Sequence, residues 1–176
     1  MKGTPSLWFL ASTTACALLV AAGPGAAAET AGRSAAATAC TGGQLIADSA
    51  QRTGNSQVRI TVVNDGPGAC VLRGFPTVAL AGQGSPDRNK PLDVVRQGPV
   101  HEVRVSVGGL ASTLLTFEPV LGEAGGYCAS GAEPAVAPSV VLGVGGGHLQ
   151  LAPDDGGNFA LCGDTVHATA FRGGAA

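Results

Sequence analysis

Apolar and polar residues alternate with period two along much of the chain. Val58, Ile60 and Val62 alternate with Arg59 and Thr61. Residues two apart share one face of a strand, so this run predicts a strand with one buried and one wet face. Val103, Val105 and Val107 alternate with Glu102, Arg104 and Ser106 in the same way. Leu115 and Phe117 share a face across Thr116; Val140, Leu142 and Val144 form another set, followed by Leu149 and Leu151. Val166, Ala168 and Ala170 close the pattern, and Val71-Leu72, Val78 to Leu80 and Leu92 to Val95 are shorter strand candidates.

Turn chemistry separates these runs. Asn64-Asp65-Gly66-Pro67-Gly68, Gly82-Gln83-Gly84-Ser85-Pro86-Asp87 and Pro153-Asp154-Asp155-Gly156-Gly157-Asn158 each mix residues that accept positive φ with residues that preset a turn. No capped stretch of helical period follows the N-terminal segment; Leu110 to Leu115 is the one span compatible with a helical turn. Several short strands punctuated in this way predict an all-β fold, an antiparallel β-sandwich.

The N-terminus follows a different pattern. Lys2 precedes a mostly apolar run, Leu7 to Ala22, and Ala26-Ala27-Ala28 offers small residues to a signal peptidase. The apolar run is shorter than the roughly 20 residues a bilayer span needs. Residues 1–28 therefore read as a secretion signal. Cys16 lies inside the apolar run, followed by Ala17-Leu18-Leu19-Val20, which is the wrong place for a lipid-attached cysteine. Residues 29–39 are Ala-rich, with Gly32 and Ser34, and read as a short disordered tether. Residues 40–172 form one domain, and 173–176 a disordered tail.

Composition narrows the function. Losing Lys2 from 10 basic side chains, against 12 acidic ones, takes the formal charge from −2 to −3. With no basic stripe, a nucleic-acid partner is not expected. Trp8 falls in the leader, so the exported part has no Trp to stack on a sugar ring, and Met1 is the sole Met, which removes a methionine copper site. No cofactor is implied.

Cys40, Cys70, Cys128 and Cys162 remain after the leader. An even set of cysteines in an exported chain predicts two disulfides, and their wide spacing lacks the close pairs of a zinc site. Three connectivities are open; the expected one joins sequence neighbours, Cys40–Cys70 and Cys128–Cys162, so that each bridge staples one strand to the next without crossing the core.

The candidate chemistry is thin. His101, His148 and His167 stand without a nucleophile elbow or a zinc-protease helix and read as exposed strand residues. Asp154-Asp155-Gly156-Gly157-Asn158 lacks the spacing and terminal Glu of a calcium loop and reads as a solvated hairpin loop. Gly143-Val144-Gly145-Gly146-Gly147 reads as a flexible turn. Phe75-Pro76 reads as a strand kink with Phe75 in the core, since the exported chain has few other large apolar residues; an exposed recognition bend is the alternative.

The landmarks Cys40, Gln44-Leu45, Asn64-x-Gly66 and the run Cys70-Val71-Leu72-Arg73-Gly74-Phe75-Pro76-Thr77-Val78 resemble the actinobacterial secreted family known as domain of unknown function 4232. Its pattern is Cys, Leu, Asn-x-Gly, then Cys-x-Leu-x-Gly-aromatic-Pro-x-Val. The family's Leu-x-Pro-Gly-x-x-Ala turn corresponds to Val105-Ser106-Val107-Gly108-Gly109-Leu110-Ala111, without its Pro, and Cys128 and Cys162 match the last two cysteines. The resemblance covers about Cys40 to Phe171. It implies an immunoglobulin-like β-sandwich outside the cell and assigns no activity; the missing lipid cysteine favours release over tethering.

The sequence thus predicts a secreted, non-enzymatic, immunoglobulin-like module whose partner is an extracellular protein or a cell-wall polymer, free of the membrane once the signal is cut. A secreted protease inhibitor is the alternative, and Gly125 to Pro134 around Cys128 is the stretch that would have to carry its reactive loop. The intact mass of protein from culture medium is expected to match a chain starting at Glu29. A lipid-modified chain starting at Cys16, or an uncleaved membrane-bound one, would refute the leader reading.

Overall fold

The computed structural model describes residues 37–122 and 126–174, so the leader, residues 29–36 of the tether and the last two residues of the tail lie outside the described residues. In chain order a 3-10 turn, Gly42–Gln44, leads into β1 (Leu45–Gly54), β2 (Gln57–Asn64), β3 (Cys70–Leu72), β4 (Thr77–Ala81), β5 (Asn89–Pro91), β6 (Asp93–Gln97) and β7 (Val103–Val105). There follow β8 (Leu110–Phe117), β9 (Ala135–Ala137), β10 (Ser139–Val144), β11 (Gly147–Leu151), β12 (Phe159–Leu161), β13 (Thr165–Thr169) and β14 (Arg172–Gly173). Among the described residues there is no α-helix. The chain is all-β, as its periodicity predicts.

The larger sheet runs β1-β2-β8-β13-β6, with β14 beside β8; a second runs β11-β10-β4-β5; β9 pairs with β12 and β3 with β7. Period-two faces decide what meets what. Val58, Ile60 and Val62 of β2, Leu115 of β8 and Val166 of β13 turn to the same apolar cluster as Leu80 of β4, Leu142 of β10 and Leu151 of β11. The two larger sheets therefore share one core. Each of these side chains gives roughly 1.5–3 kcal/mol on full burial, which outweighs any strand propensity term. Phe117 and Phe159 pack with ring centroids 6.3 Å apart, tying β12 to β8.

Several expectations change. The strand pairs are antiparallel except one: β13 runs parallel to β6, His167 facing Val95. The alternation at Val103 stops at Val105, and Val107 is 57% exposed in the turn that follows. Leu110 to Leu115 is strand, because pairing with β2 through seven residues overrides its weak helical signal. The tether is ordered at its end, where Cys40 N–H donates to Val71 O and Val71 N–H donates to Thr38 O. The expected tail starts too early, because Gly173 belongs to β14 and Gly174 N–H donates to Leu110 O.

Strand β1 has no counterpart among the predicted strands. Of its ten residues only Leu45 and Ala50 are buried, and a bulge falls between Ala47 and Ser49. It is an edge strand whose free side would expose unpaired backbone groups. The Pro153 to Asn158 loop covers part of that side: Asp154 N–H donates to Ala50 O, and Ala50 N–H donates to Asp154 Oδ1 at 2.9 Å.

The disulfides are Cys40–Cys70 and Cys128–Cys162, with Cα atoms 4.8 and 5.5 Å apart. This is the expected pairing of sequence neighbours.

At the end of β2, Asn64 is fully buried. Its Oδ1 accepts from Gly66 N–H at 3.0 Å, and its Nδ2 donates to Gly68 O at 2.9 Å and to Val105 O at 3.1 Å. Its backbone N–H donates to Gly109 O, and its carbonyl accepts from Gly108 N–H. One residue thus ties β2 to its own following turn, to β7 and to the 106–109 turn. That turn closes with Gly109 N–H donating to Ser106 O, and Gly108 at its third position has φ 70°. A type II turn needs positive φ there, whereas a Pro before it would only preset φ, so Val107 serves in its place.

Asn64→Ala would leave Gly66 N–H, Gly68 O and Val105 O without their partner. Unmade buried hydrogen bonds cost about 1–3 kcal/mol each, so the loss is expected to be about 3 kcal/mol or more, read as a drop in Tm of roughly 10 °C. An unchanged Tm in calorimetry would show that the amide is not the clamp.

Candidate functional site

A cleft of about 660 Å³ opens beside the Cys40–Cys70 bridge. It is built where the second half of the central motif leaves the core. Cys70, Val71 and Leu72 of β3 are buried, then Arg73 turns outward, and Gly74, with φ 86°, swings the chain so that Phe75 comes to one wall. Gly74 O accepts from Phe171 N–H at 3.1 Å, which fixes that bend. Phe75 is half-buried, and the Arg96 guanidinium lies 5.7 Å from its ring centroid. Phe75 is therefore not the core residue expected from composition; Pro76 is buried in its stead. A guanidinium over a ring face holds the ring in place by a cation–π attraction of about 0.5–1 kcal/mol at a wet site.

The facing wall is the tip of the β10–β11 hairpin. Gly145 and Gly146 have φ 58° and 76°, as a two-residue hairpin turn of the I′ kind demands. The tip sits hard against the N-terminal segment: Gly42 N–H donates to Gly145 O at 2.7 Å, and a Cβ at Gly145 would lie 2.6 Å from Cys40 O. The stretch expected to be a flexible turn is a tightly docked one. Across β4, β10 and β11, Thr77, Gly143 and His148 form one row, and the Thr77 hydroxyl fills the place that a side chain at Gly143 would take. Arg73 and Glu102 form an exposed ion pair at the rim. Such an exposed pair contributes little to stability and leaves no net charge at that rim.

The cleft can hold an apolar or aromatic group against Phe75 and Val71 while exposed polar groups at its edge set orientation. Sequence reasoning missed it as a site. The signal was present as the run Arg73 to Thr77, but its facing wall lies far away in sequence.

The three histidines are not brought together. His101 is exposed before β7, and His148 is exposed on β11 at the cleft. His167 sits on β13 opposite Thr116, half-buried, with Nδ1 enclosed and without a hydrogen-bond partner among the described residues. Among the described residues no three His, Cys, Asp or Glu side chains gather as a metal site would require. No described helix is long and apolar enough to cross a membrane.

The stretch around Cys128 folds back on itself. Tyr127 is 60% exposed, yet its N–H donates to Leu121 O and its carbonyl accepts from Leu121 N–H. Gly131 N–H donates to Cys128 O, closing a turn.

The acidic loop is a clamp. Asp155 Oδ1 accepts from Gly157 N–H at 2.9 Å, and Asp155 Oδ2 accepts from Arg52 Nε at 2.6 Å. The Gly157 hydrogen bond first, and then Arg52, hold the Asp155 carboxyl below the ordinary value of 3.8. A depressed carboxylate contributes stability above its unfolded value and loses that contribution as pH falls through the lowered one. In Arg52→Ala the Asp155 carboxyl is expected to titrate nearer to 3.8 while staying somewhat low, because Gly157 still donates. A ¹³C NMR titration of the carboxyl checks this, and an identical midpoint in both proteins would contradict it.

The family model described as domain of unknown function DUF4232 matches residues 40–172. Comparison with curated proteins finds no match, and comparison with solved structures finds none.

Proposed function

The chain belongs to the DUF4232 family, and from that premise we propose that it is an exported, non-enzymatic binding module, an immunoglobulin-like sandwich that presents the Phe75 cleft to an extracellular protein or a cell-wall polymer. The observation that carries this reading is that cleft, onto which the central motif converges after leaving the core. Two disulfides suit an oxidising compartment outside the cytosol. The pairing of β2 with β8, and of β10 with β4 and β11, supports the immunoglobulin-like order, with the C-terminal β13 and β14 added beyond β8.

A protease inhibitor of the substrate-like kind keeps an extended loop whose backbone is free to pair with the enzyme. At Tyr127 both backbone groups are already bonded to Leu121, which weighs against that role for the disulfide-held stretch.

Thr77 is exposed on β4 at the cleft wall. An exposed strand position accepts an aromatic side chain well, so Thr77→Trp would fill the cleft without disturbing the fold. The mature protein is immobilised and challenged with cell-wall polymer and with culture-medium protein, beside Thr77→Trp and Asp87→Ala as an exposed control. Retention by the native chain and by Asp87→Ala, reduced at least about tenfold in Thr77→Trp, is the expected result, equal to about 1.4 kcal/mol of lost contact. Equal retention by all three would remove the cleft from the reading. Turnover of ester, peptide or glycoside substrates would remove the non-enzymatic role.

A further inference from the structure

The outer face of the larger sheet carries a second concavity, of about 530 Å³, around β2, β8 and β14. Its position follows from register. Arg59 of β2 faces Leu114 of β8, Thr61 faces Ser112, and Arg172 of β14 faces that same Ser112 from the other side. Ile60 and Ala111 point into the core, so Arg59, Thr61, Ser112, Leu114 and Arg172 all share the solvent face. Strands lie about 4.8 Å apart and rise about 3.4 Å per residue, so two strands and two residues place the arginine Cα atoms about 12 Å apart. Two extended side chains can reach toward each other across that span, with the hydroxyls of Thr61 and Ser112 between them.

Among the described residues these arginines differ from Arg52, Arg73 and Arg96, and share with Arg88 and Arg104 the lack of a carboxylate partner. Arg52 is held by Asp155, Arg73 by Glu102, and Arg96 lies over Phe75. Among the described residues neither Arg59 nor Arg172 is in an ion pair, and no carboxylate lines the concavity. The chain as a whole is acidic, so this patch is a local feature and not part of a generally basic surface. Guanidinium groups present fixed donor forks that match the oxygens of phosphate and carboxylate groups, and hydroxyls add donors to the same oxygens.

We propose that this face binds an anionic polymer, with Arg59 and Arg172 each engaging an acidic group and Thr61 and Ser112 donating between them. Phosphate and carboxylate share the chemistry required. The open sheet face suits a chain lying across β8 rather than an enclosed small ligand. The site is separate from the Phe75 cleft and does not rest on the role given to that cleft.

The test uses the mature protein with immobilised polyphosphate, polyglutamate and neutral dextran at low ionic strength. The native chain is expected to be retained on polyphosphate, on polyglutamate or on both, not on dextran, and to be released as salt rises. Retention on one polyanion alone identifies the acidic group, and retention on both assigns the site to shared charge. Arg59→Ala with Arg172→Ala is expected to weaken retention at least about tenfold, since a charged hydrogen-bonded contact of this kind outweighs that factor. Arg88→Ala with Lys90→Ala removes the same charge elsewhere on the surface and is expected to change retention little. Thr77→Trp is expected to bind as the native chain does, which keeps failure here distinct from failure of the cleft reading. Calorimetry confirms that each variant folds. No retention on either polyanion, or an equal loss in the Arg88 and Lys90 variant, would overturn the proposal.

Discussion

A fully buried amide at the end of β2 organises the ends of four segments. Asn64 has an environment that offers it no water, so each polar atom must find a protein partner or cost free energy. It finds them in its own turn at Gly66 and Gly68, in Val105 of β7, and in Gly108 and Gly109 on the way into β8. These bonds can all form only when β2, β7 and β8 stand in one relative register. A slip of one residue in β2 would turn Ile60 outward and Arg59 into the core at the same time as it broke the amide set. The polar clamp and the apolar face therefore enforce the same arrangement, and that agreement between levels is what makes one structure stable against its neighbours.

The same register carries outward to the cleft. The turn that Asn64 shapes delivers the chain to Cys70, and Cys70 is bridged to Cys40. The bridge closes a loop with a sequence separation of 30, worth about 3 kcal/mol or a little more in the chain-entropy model. Its consequence for the site is positional. It holds the segment before β1 against β3, and the β10–β11 tip then docks on that segment through Gly42 and Gly145. The second bridge, Cys128–Cys162, lines neither of the two concavities discussed, so the two bridges have different relations to function.

Much of the fold was legible because burial on one face writes itself into sequence with period two. β2, β7, β10, β11 and β13 follow from that alone, and β8 only at its Leu115 to Phe117 end, the rest of it being fixed by pairing with β2. β1 did not, because an edge strand with two buried residues in ten has almost no apolar period to read; its existence depends on β2 and on the Asp154 loop. The parallel pairing of β13 with β6 did not either, since direction is a property of connections and not of alternation. Phe75 was misplaced for a related reason. Scarcity of aromatics argues for burying each one, but Gly74 and the Arg96 guanidinium hold this ring at the surface. The disulfide pairing was legible because neighbouring strands are stapled most simply by neighbouring cysteines. Asn64-x-Gly66 stood out as turn chemistry, and only the fold showed that the asparagine is a buried clamp.

Neither concavity could be read from one stretch of chain. The cleft joins residues near 75 to residues near 145, and the outer face joins Arg59 to Arg172 through Ser112. Both are products of sheet register, and register is set by the buried side. Arg59 is outward because Val58 and Ile60 are inward; Arg172 reaches the same face because Phe171, the residue before it, is buried. A surface assembled in this way has a consequence for charge. On a protein of net negative charge, two guanidinium groups without carboxylate partners lower the local potential barrier to an anion at this face, which favours approach there even where each contact is weak. The side chains that fill the core thereby determine which ones are left to meet a partner.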